Sequence, residues 1–204
     1  MALITIEGID GAGKSTLAAA LAARMPGAVL LREPGGVALA ERVRAVVKDP
    51  ALRVGARAEA LLYAAARAQL VEEALRPALE RGETVLLDRF IDSSLAYQGV
   101  GRGLGVDAVR AINDFGSGGL RPDRTLLVRL DPAVARARAG ARGEAVDRLE
   151  AEGDAFFAAI ARAYDELAAA EPERFAVLDG SRSPEALVGD ALAALADVAP
   201  GGGG

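Results

Sequence analysis

The stretch Gly8-Ile-Asp-Gly-Ala-Gly-Lys-Ser15 decides how this chain can fold. It has the spacing of a glycine, four variable residues and then Gly-Lys-Ser, which is typical of loops that cradle phosphate groups. It follows a short β-branched run, Ala2–Ile6, and it opens a stretch with helical spacing, Ser15–Met25. Glycines allow a tight turn that directs backbone N–H groups toward an anion, and the positive end of a helix faces the same anion. The sequence therefore predicts a strand–loop–helix unit that binds phosphate.

Within this loop, Lys14 is expected to reach the β- and γ-phosphates of ATP, and the Ser15 hydroxyl is expected to bind Mg²⁺. A second apolar run, Thr84–Leu87, ends in Asp88 and would bring a carboxylate to the same edge of the sheet. A solvated carboxylate at a strand end is the alternative for Asp88. We predict Mg²⁺ as the cofactor, with Ser15 and Asp88 as its ligands, partly through water. The predicted ATP-binding residues are Gly8, Ile9, Asp10, Gly11, Ala12, Gly13, Lys14, Ser15 and Thr16.

Short apolar runs alternate with amphipathic stretches along the rest of the chain, which favours an α/β fold with a parallel sheet covered on both faces. The chain of 204 residues fits one domain, over 1–198, and the glycines at its end predict a flexible tail over 199–204. We predict five strands and seven helices. The strands are 2–6, 28–31, 84–87, 125–130 and 175–178, and the helices are 15–25, 39–47, 59–81, 106–115, 133–142, 155–170 and 184–198.

The amino-acid composition limits which catalytic groups and which kinds of site this chain can have. The chain has no cysteine and no histidine, which excludes disulfides, thiolate metal sites, Ser-His triads and an imidazole base. A net charge of −5 argues against a nucleic-acid partner. We expect no signal peptide and no membrane partner, because apolar stretches of the required length and flanks are not present. The prediction is a cytoplasmic protein that relies on lysine, arginine, carboxylates and a hard cation.

Four further clusters suit a nucleoside monophosphate as a second substrate, although each could instead be structural. Tyr63 and Arg67 stand four residues apart, so one helical face could stack a ring on a base and bond the base's edge. Arg89 directly follows the predicted metal carboxylate, and its planar guanidinium suits the acceptor phosphate. Gln98 offers both a donor and an acceptor to a pyrimidine. The clusters are REPGG at 32–36, YAAARAQ at 63–69, DRF at 88–90 and SSLAYQG at 93–99.

These clusters separate three candidate functions. A signalling GTPase would carry an Asn-Lys-x-Asp motif, but neither lysine of this chain follows an asparagine. A kinase acting on another nucleoside monophosphate or on a deoxynucleoside would use the same kinds of residue. An ATPase switch would need the phosphate-binding loop alone and would leave the four clusters without a task.

The motifs IEGIDGAGKST, REPGG, LLYAAARAQL, LLDRF, SSLAYQGVGRG and VDRLE occur in an order that resembles bacterial thymidylate kinases over nearly the whole chain. The resemblance implies a three-layer P-loop kinase fold with a five-stranded parallel sheet, an arginine-rich lid over about 136–150, and a homodimer. It also implies phosphoryl transfer from ATP–Mg²⁺ to dTMP, a step in dTTP biosynthesis.

The resemblance further implies roles for individual residues near the acceptor phosphate and sugar. Asp10 would approach the 3′-hydroxyl of dTMP, in a position where some members of the family carry arginine. Glu33 and Pro34 would lie close to the acceptor site, with Glu33 near the phosphate and the metal. Arg89 would bind the dTMP phosphate, and Arg44 would assist it.

Around the base, the resemblance implies that Tyr63 stacks on thymine and Arg67 donates to its O4 atom. Ser94 and Gln98 would line the base, and Tyr97 would crowd the 2′ position and favour deoxyribose. This chain departs from the family at the stacking position, which is usually phenylalanine and here is Tyr63.

The lid is the last element that the resemblance implies. Because some members of the family carry arginine where this chain has Asp10, the arginine that acts on the transferred phosphoryl group is expected to come from the lid. Arg142 and Arg148 are the favoured lid residues, so the predicted catalytic set is Lys14, Arg89, Arg142 and Arg148. Solvated helix charges are the alternative for each lid arginine. The resemblance also places adenine near Gly180–Pro184.

Overall fold

A computed structural model describes residues 1–141, 148–149 and 152–198. Its centre is a sheet of five parallel strands in the order β2-β3-β1-β4-β5. Every residue of the central strand β1 is buried, so helices cover both faces of the sheet there. The predicted α/β fold with a five-stranded parallel sheet is confirmed. The strands are β1 Ala2–Glu7, β2 Val29–Arg32, β3 Thr84–Asp88, β4 Arg124–Arg129 and β5 Phe175–Asp179.

Helices pack on the sheet from two sides: α1 contacts β1, β2, β3 and α9, and α8 contacts β4, β5 and the helical segment Leu95–Gly101. None of the helices in the described part of the chain is long and apolar enough to cross a membrane. The α-helices are α1 Lys14–Arg24, α2 Ala38–Lys48, α3 Ala56–Leu70, α4 Arg76–Glu80, α5 Ile91–Ser94, α6 Val106–Ser117, α7 Pro132–Gly140, α8 Asp154–Ala170 and α9 Pro184–Ala194. Two π-helical segments, Val71–Leu75 and Leu95–Gly101, continue α3 and α5.

The strand register brings the separate motifs to one edge of the sheet. Ile6 pairs with Asp88 across β1 and β3, and Arg32 pairs with Asp88 across β2 and β3. Beyond these pairs, the backbone N–H of Glu33 donates to the Asp88 carbonyl at 2.8 Å, and that of Arg89 donates to the Ile6 carbonyl at 3.0 Å. The phosphate-binding loop and the residues that follow β2 and β3 therefore lie side by side.

The helical segment Ile91–Gly101 was not predicted, because it contains two serines and two glycines, which have low helix propensity. Burial outweighs that propensity here. A Cβ atom added at Gly101 would lie 2.7 Å from the Phe156 ring, and one at Gly99 would lie 3.3 Å from the Val106 Cα. These glycines permit close packing of the segment against its neighbours.

The predicted helix over 59–81 is interrupted rather than continuous. A π-helical segment precedes Pro77, which then lies in the first turn of α4, where a missing N–H costs no hydrogen bond. The other predicted elements agree with the structure to within a few residues. Part of the predicted lid (142–147 and 150–151) and the predicted tail (199–204) lie outside the described residues.

Candidate active site

A cavity of about 460 Å³ opens at the carboxyl edge of the sheet, the edge at which α/β proteins bind ligands. All ten residues predicted to contact the acceptor nucleotide line it, together with five residues of the predicted phosphate and metal sites. The ten are Asp10, Glu33, Pro34, Arg44, Tyr63, Arg67, Arg89, Ser94, Tyr97 and Gln98, and the five are Gly11, Gly13, Lys14, Ser15 and Asp88.

The remaining predicted residues lie elsewhere or cannot be placed. Gly8 and Ile9 line a second cavity, of about 450 Å³, beside the end of β4. Arg142 lies outside the described residues. Arg138, which was not favoured, lines the main cavity, and its Nη1 donates to the Gly180 carbonyl at 3.0 Å.

The phosphate-binding loop needs its glycines for backbone geometry and for space. Gly11 has φ +82°, and a Cβ atom there would lie 2.0 Å from the carbonyl oxygen of Ala135 in α7. The side chain of Lys14 is held over the loop because its Nζ donates to the Ile9 carbonyl at 2.9 Å. Burial, followed by the nearby charge of Arg89, lowers the pKa of Lys14 to about 8. The loop thus holds a desolvated ammonium group where phosphate would bind.

Ser15 and Asp88, the predicted metal ligands, are in direct contact, since the Ser15 Oγ donates to Asp88 Oδ2 at 2.5 Å. The other carboxylate oxygen of Asp88 is buried and has no partner among the described residues. Within the same part of the chain, no group of three or more acidic side chains could by itself hold a metal ion. A hydroxyl and one carboxylate fit Mg²⁺, which usually completes its shell with water and substrate phosphate oxygens.

Asp10 of the phosphate-binding loop forms a connected group with Arg89 and Tyr97. Arg89 Nη2 donates to one carboxylate oxygen of Asp10 at 2.6 Å, and the Tyr97 hydroxyl donates to the other at 2.7 Å. Burial by itself would raise the pKa of Asp10, but the charges of Arg89 and Lys14 outweigh it and hold that pKa well below its usual range. Arg89 adopts φ +72°, an uncommon conformation for a residue other than glycine that is found at functional sites.

Glu7 was not predicted, although it explains how the turn after β3 is held. It is fully buried, and its carboxylate accepts from the Phe90 N–H at 2.7 Å, the Ser93 hydroxyl at 2.6 Å and the Tyr164 hydroxyl at 2.9 Å. Burial, with a further contribution from Asp92, raises the pKa of Glu7 to about 7. A charged residue at the end of an apolar strand was the available signal.

Arg67 lines the cavity, yet every nitrogen of its buried guanidinium already has a partner. Nε donates to Glu33 at 2.8 Å, Nη1 donates to Ser94 at 3.0 Å and to Asn113, and Nη2 donates to the Phe90 carbonyl at 2.9 Å. Glu33 Oε1 is buried without a partner among the described residues, and burial raises the pKa of this carboxyl despite the neighbouring Arg67. A base that bonds to Arg67 would therefore have to share or replace one of these contacts.

Glu59, a second residue that was not predicted, is buried behind Gln98, which lines the cavity. Gln98 Nε2 donates to Glu59 at 2.9 Å, Arg148 Nη2 donates to it at 2.5 Å, and Arg102 Nε donates to it at 3.2 Å. Arg148 also donates to the Val47 carbonyl at 3.1 Å and is not among the described residues that line the cavity. The structure thus places this predicted lid arginine against the base end of the cavity.

Comparison with known proteins gives one consistent family. The family model described as thymidylate kinase matches residues 6–191. The chain is 50% identical to the thymidylate kinase of Deinococcus radiodurans over 95% of this chain and 96% of that protein, and 48% identical to that of Lactobacillus delbrueckii subsp. bulgaricus over 88% of each. A crystal structure of thymidylate kinase from Ehrlichia chaffeensis superposes with a TM-score of 0.72 at 30% identity, covering 87% of this chain and 91% of that one.

Proposed function

Because the chain belongs to the thymidylate kinase family, we propose that it transfers the γ-phosphoryl group of ATP to dTMP, with dTDP and ADP as products. One observation supports this beyond the family: a single cavity is lined both by the phosphate-binding loop and by all ten residues expected to contact the acceptor. An ATPase switch would not need that second set of side chains.

Phosphoryl transfer needs positioning and charge stabilisation more than it needs a base. The acceptor oxygen of a nucleoside monophosphate is already largely ionised near neutral pH, since its second pKa is about 6. This suits a chain without histidine. Lys14 and the loop N–H groups would hold the donor phosphates, while Arg89 would bind the acceptor phosphate and exchange part of its contact with Asp10 for it.

We also propose Mg²⁺ as the cofactor, held by Ser15 and Asp88, the two residues whose oxygens touch in this structure. When bound, Mg²⁺ would neutralise phosphate charge during the transfer. The buried Oδ1 of Asp88, which has no hydrogen-bond partner in the part of the chain that the structure describes, supports this proposal. Removal of divalent cations with EDTA should abolish activity, and added Mg²⁺ should restore it.

The function is tested by an ADP-release assay with ATP–Mg²⁺ and dTMP, dUMP, dCMP, dGMP and dAMP supplied in turn. Release that requires dTMP supports the proposal. Dependence on a different monophosphate would keep the kinase and change its substrate. Release that is equal with every acceptor and without any would point to an ATPase switch.

We further propose one domain over 1–198, a lid that includes Arg142, a cytoplasmic location and a homodimer. Two large apolar side chains support the homodimer: Phe115 of α6 is 91% exposed, and Leu61 of α3 is 57% exposed. These two helices pack against each other, so their outer surface offers apolar area for a second copy. Light scattering coupled to size exclusion measures the mass directly.

A further inference from the structure

Glu59 joins the base end of the cavity to two arginines from other parts of the chain. Its side chain is completely buried, and it receives hydrogen bonds from Gln98, Arg102 and Arg148. Arg102 also pairs with Glu152, whose side chain is 35% exposed. Gln98 is the only one of these partners that is among the described residues lining the cavity.

The chemistry of this contact fixes which way the Gln98 amide faces. A carboxylate that is ion-paired with two guanidinium groups accepts hydrogen bonds and donates none. The NH₂ group of Gln98 must therefore face Glu59, as its 2.9 Å contact records. The reverse orientation would set the Gln98 carbonyl oxygen against a carboxylate oxygen in a buried place and leave that carbonyl without a donor there. The carbonyl oxygen of Gln98 is consequently the part of the amide directed away from Glu59 and available to a base.

A fixed carbonyl oxygen discriminates between pyrimidines. Thymine and uracil carry an N–H donor at N3, whereas the N3 atom of cytosine is an acceptor. An acceptor from the protein would bond to the first two bases and would face a lone pair of the third. Rejection of this kind is strong in a buried site, because the wrong base leaves polar groups unpaired.

Resting on the proposed function, we infer that Glu59 determines pyrimidine specificity by orienting the Gln98 amide, so that cytosine nucleotides are rejected as acceptors. Glu59 is a positioning residue in this account, since it acts on the base through Gln98. The two guanidinium groups keep it an acceptor, and its place on α3 keeps it fixed beside the cavity.

The test compares kcat/KM for dTMP, dUMP and dCMP in the full-length protein and in Glu59→Gln. A glutamine can turn its own amide either way, so Gln98 becomes free to offer NH₂ to the base. The dTMP-to-dCMP ratio should fall by about tenfold or more, the cost of one unpaired buried polar group. The dTMP-to-dUMP ratio should stay unchanged, because these bases share the N3 donor and differ in a methyl group.

The matched control is Glu152→Gln, which removes a carboxylate from the same cluster without a contact to Gln98. Its dTMP-to-dCMP ratio should equal that of the unaltered protein. Glu59→Asp keeps an acceptor-only group and should keep dCMP rejection, even where total activity falls. A folded Glu59→Gln variant with an unaltered ratio, or a Glu152→Gln variant with the same loss of selectivity, would overturn the inference.

The Gln98→Met variant tests the inference even if Glu59→Gln does not fold. Methionine keeps the length of the side chain and has no amide, so dCMP rejection should weaken as it does in Glu59→Gln. Full rejection of dCMP by Gln98→Met would contradict the inference. If the unaltered protein shows no dTMP-dependent ADP release, the proposed function itself has failed, which is a separate result from an active protein whose selectivity ignores Glu59.

Discussion

The donor side and the acceptor side of this cavity are built in different ways. On the donor side, Lys14 bonds to a carbonyl five residues earlier, and the geometry comes from one continuous loop of the backbone. On the acceptor side, the side chain of Arg67 bonds to partners that lie 23 to 46 positions away along the chain. The donor side is therefore a local motif, whereas the acceptor side exists only once distant elements have packed together.

This difference predicts which variants lose activity alone and which lose both activity and stability. Removing the Lys14 side chain from the loop would delete a proposed contact to substrate and release one backbone carbonyl, that of Ile9. Removing one from the acceptor side leaves buried charges and donors without partners, which is among the costliest changes a fold can suffer. Variants on the donor side should lose activity alone, and variants on the acceptor side should lose activity and stability together.

The largest expected effect is that of Lys14→Ala. It removes the ammonium group from the donor phosphates, so kcat should fall by about a thousandfold, similar to the loss of one strong stabilising group in a desolvated site. Because the hydrogen bond of the native side chain within the described residues goes to a backbone carbonyl, the melting temperature should change little. Calorimetry and the ADP-release assay measure the two effects. Retained activity would remove the loop from the mechanism.

Arg67→Ala should combine two losses. Truncation leaves the Glu33 carboxylate buried and unpaired, which should lower the free energy of unfolding by about 3 kcal/mol. The KM for dTMP should rise far more than the KM for ATP. The control is Arg81→Ala, which breaks the exposed pair with Glu83 and should leave the melting temperature unaltered. Equal effects on both KM values would argue against a role in base binding.

The same contrast explains what the sequence could predict. The strand, glycine loop and helix around Lys14 are encoded by neighbouring residues, so their spacing alone identified them. Five parallel strands followed from short apolar runs, which the structure buries on both faces at the central strand β1 and only in part at the edge strands β2 and β5. Gln98 was predicted to contact a base, but its orientation depends on Glu59, which lies 39 positions away. No local pattern carries that information.

Two other features could not be predicted from the sequence, for related reasons. The helical segment Ile91–Gly101 is held by packing against Phe156 and Val106, which propensity does not report. The sequence supplied the predicted site residues but not Glu7 and Glu59, the buried carboxylates that hold the turn after β3 and the Gln98 amide. Arg67 shows the consequence: it was predicted as a ligand for the base, while the structure also makes it the centre of a buried network.

Glu7 is buried beside the cavity, and its raised pKa allows a test of stability against pH. Its pKa is about 7 in the folded protein, above the ordinary value of 4.5, so the folded state keeps its proton after the unfolded chain has lost it. The stability that this proton provides is present at low pH and is lost as pH rises to about 7. The charged and titratable groups around it in the described part of the chain are Lys14, Arg89, Asp92 and Tyr164.

Glu7→Gln cannot titrate, so the unaltered protein should lose about 2 kcal/mol relative to this variant between pH 5 and pH 8. Urea unfolding of both proteins at each pH measures the difference and cancels the titration of all other groups. A difference that stays constant with pH would show that Glu7 ionises normally in the folded state.

The smallest expected effect tests the donor side alone. Since the pKa of Lys14 is about 8 in the free protein, its positive charge is present below that pH and is lost above it. At dTMP concentrations well below its KM, the value of kcat/KM for ATP reports the free protein, and it should fall about fivefold between pH 8 and pH 9. Lys14→Arg keeps its charge throughout this range, so its residual activity should show no such fall. A flat profile up to pH 9 in the unaltered protein would mean that the loop keeps its ammonium group charged despite burial, and the donor side would then resemble the acceptor side in relying on compensating partners.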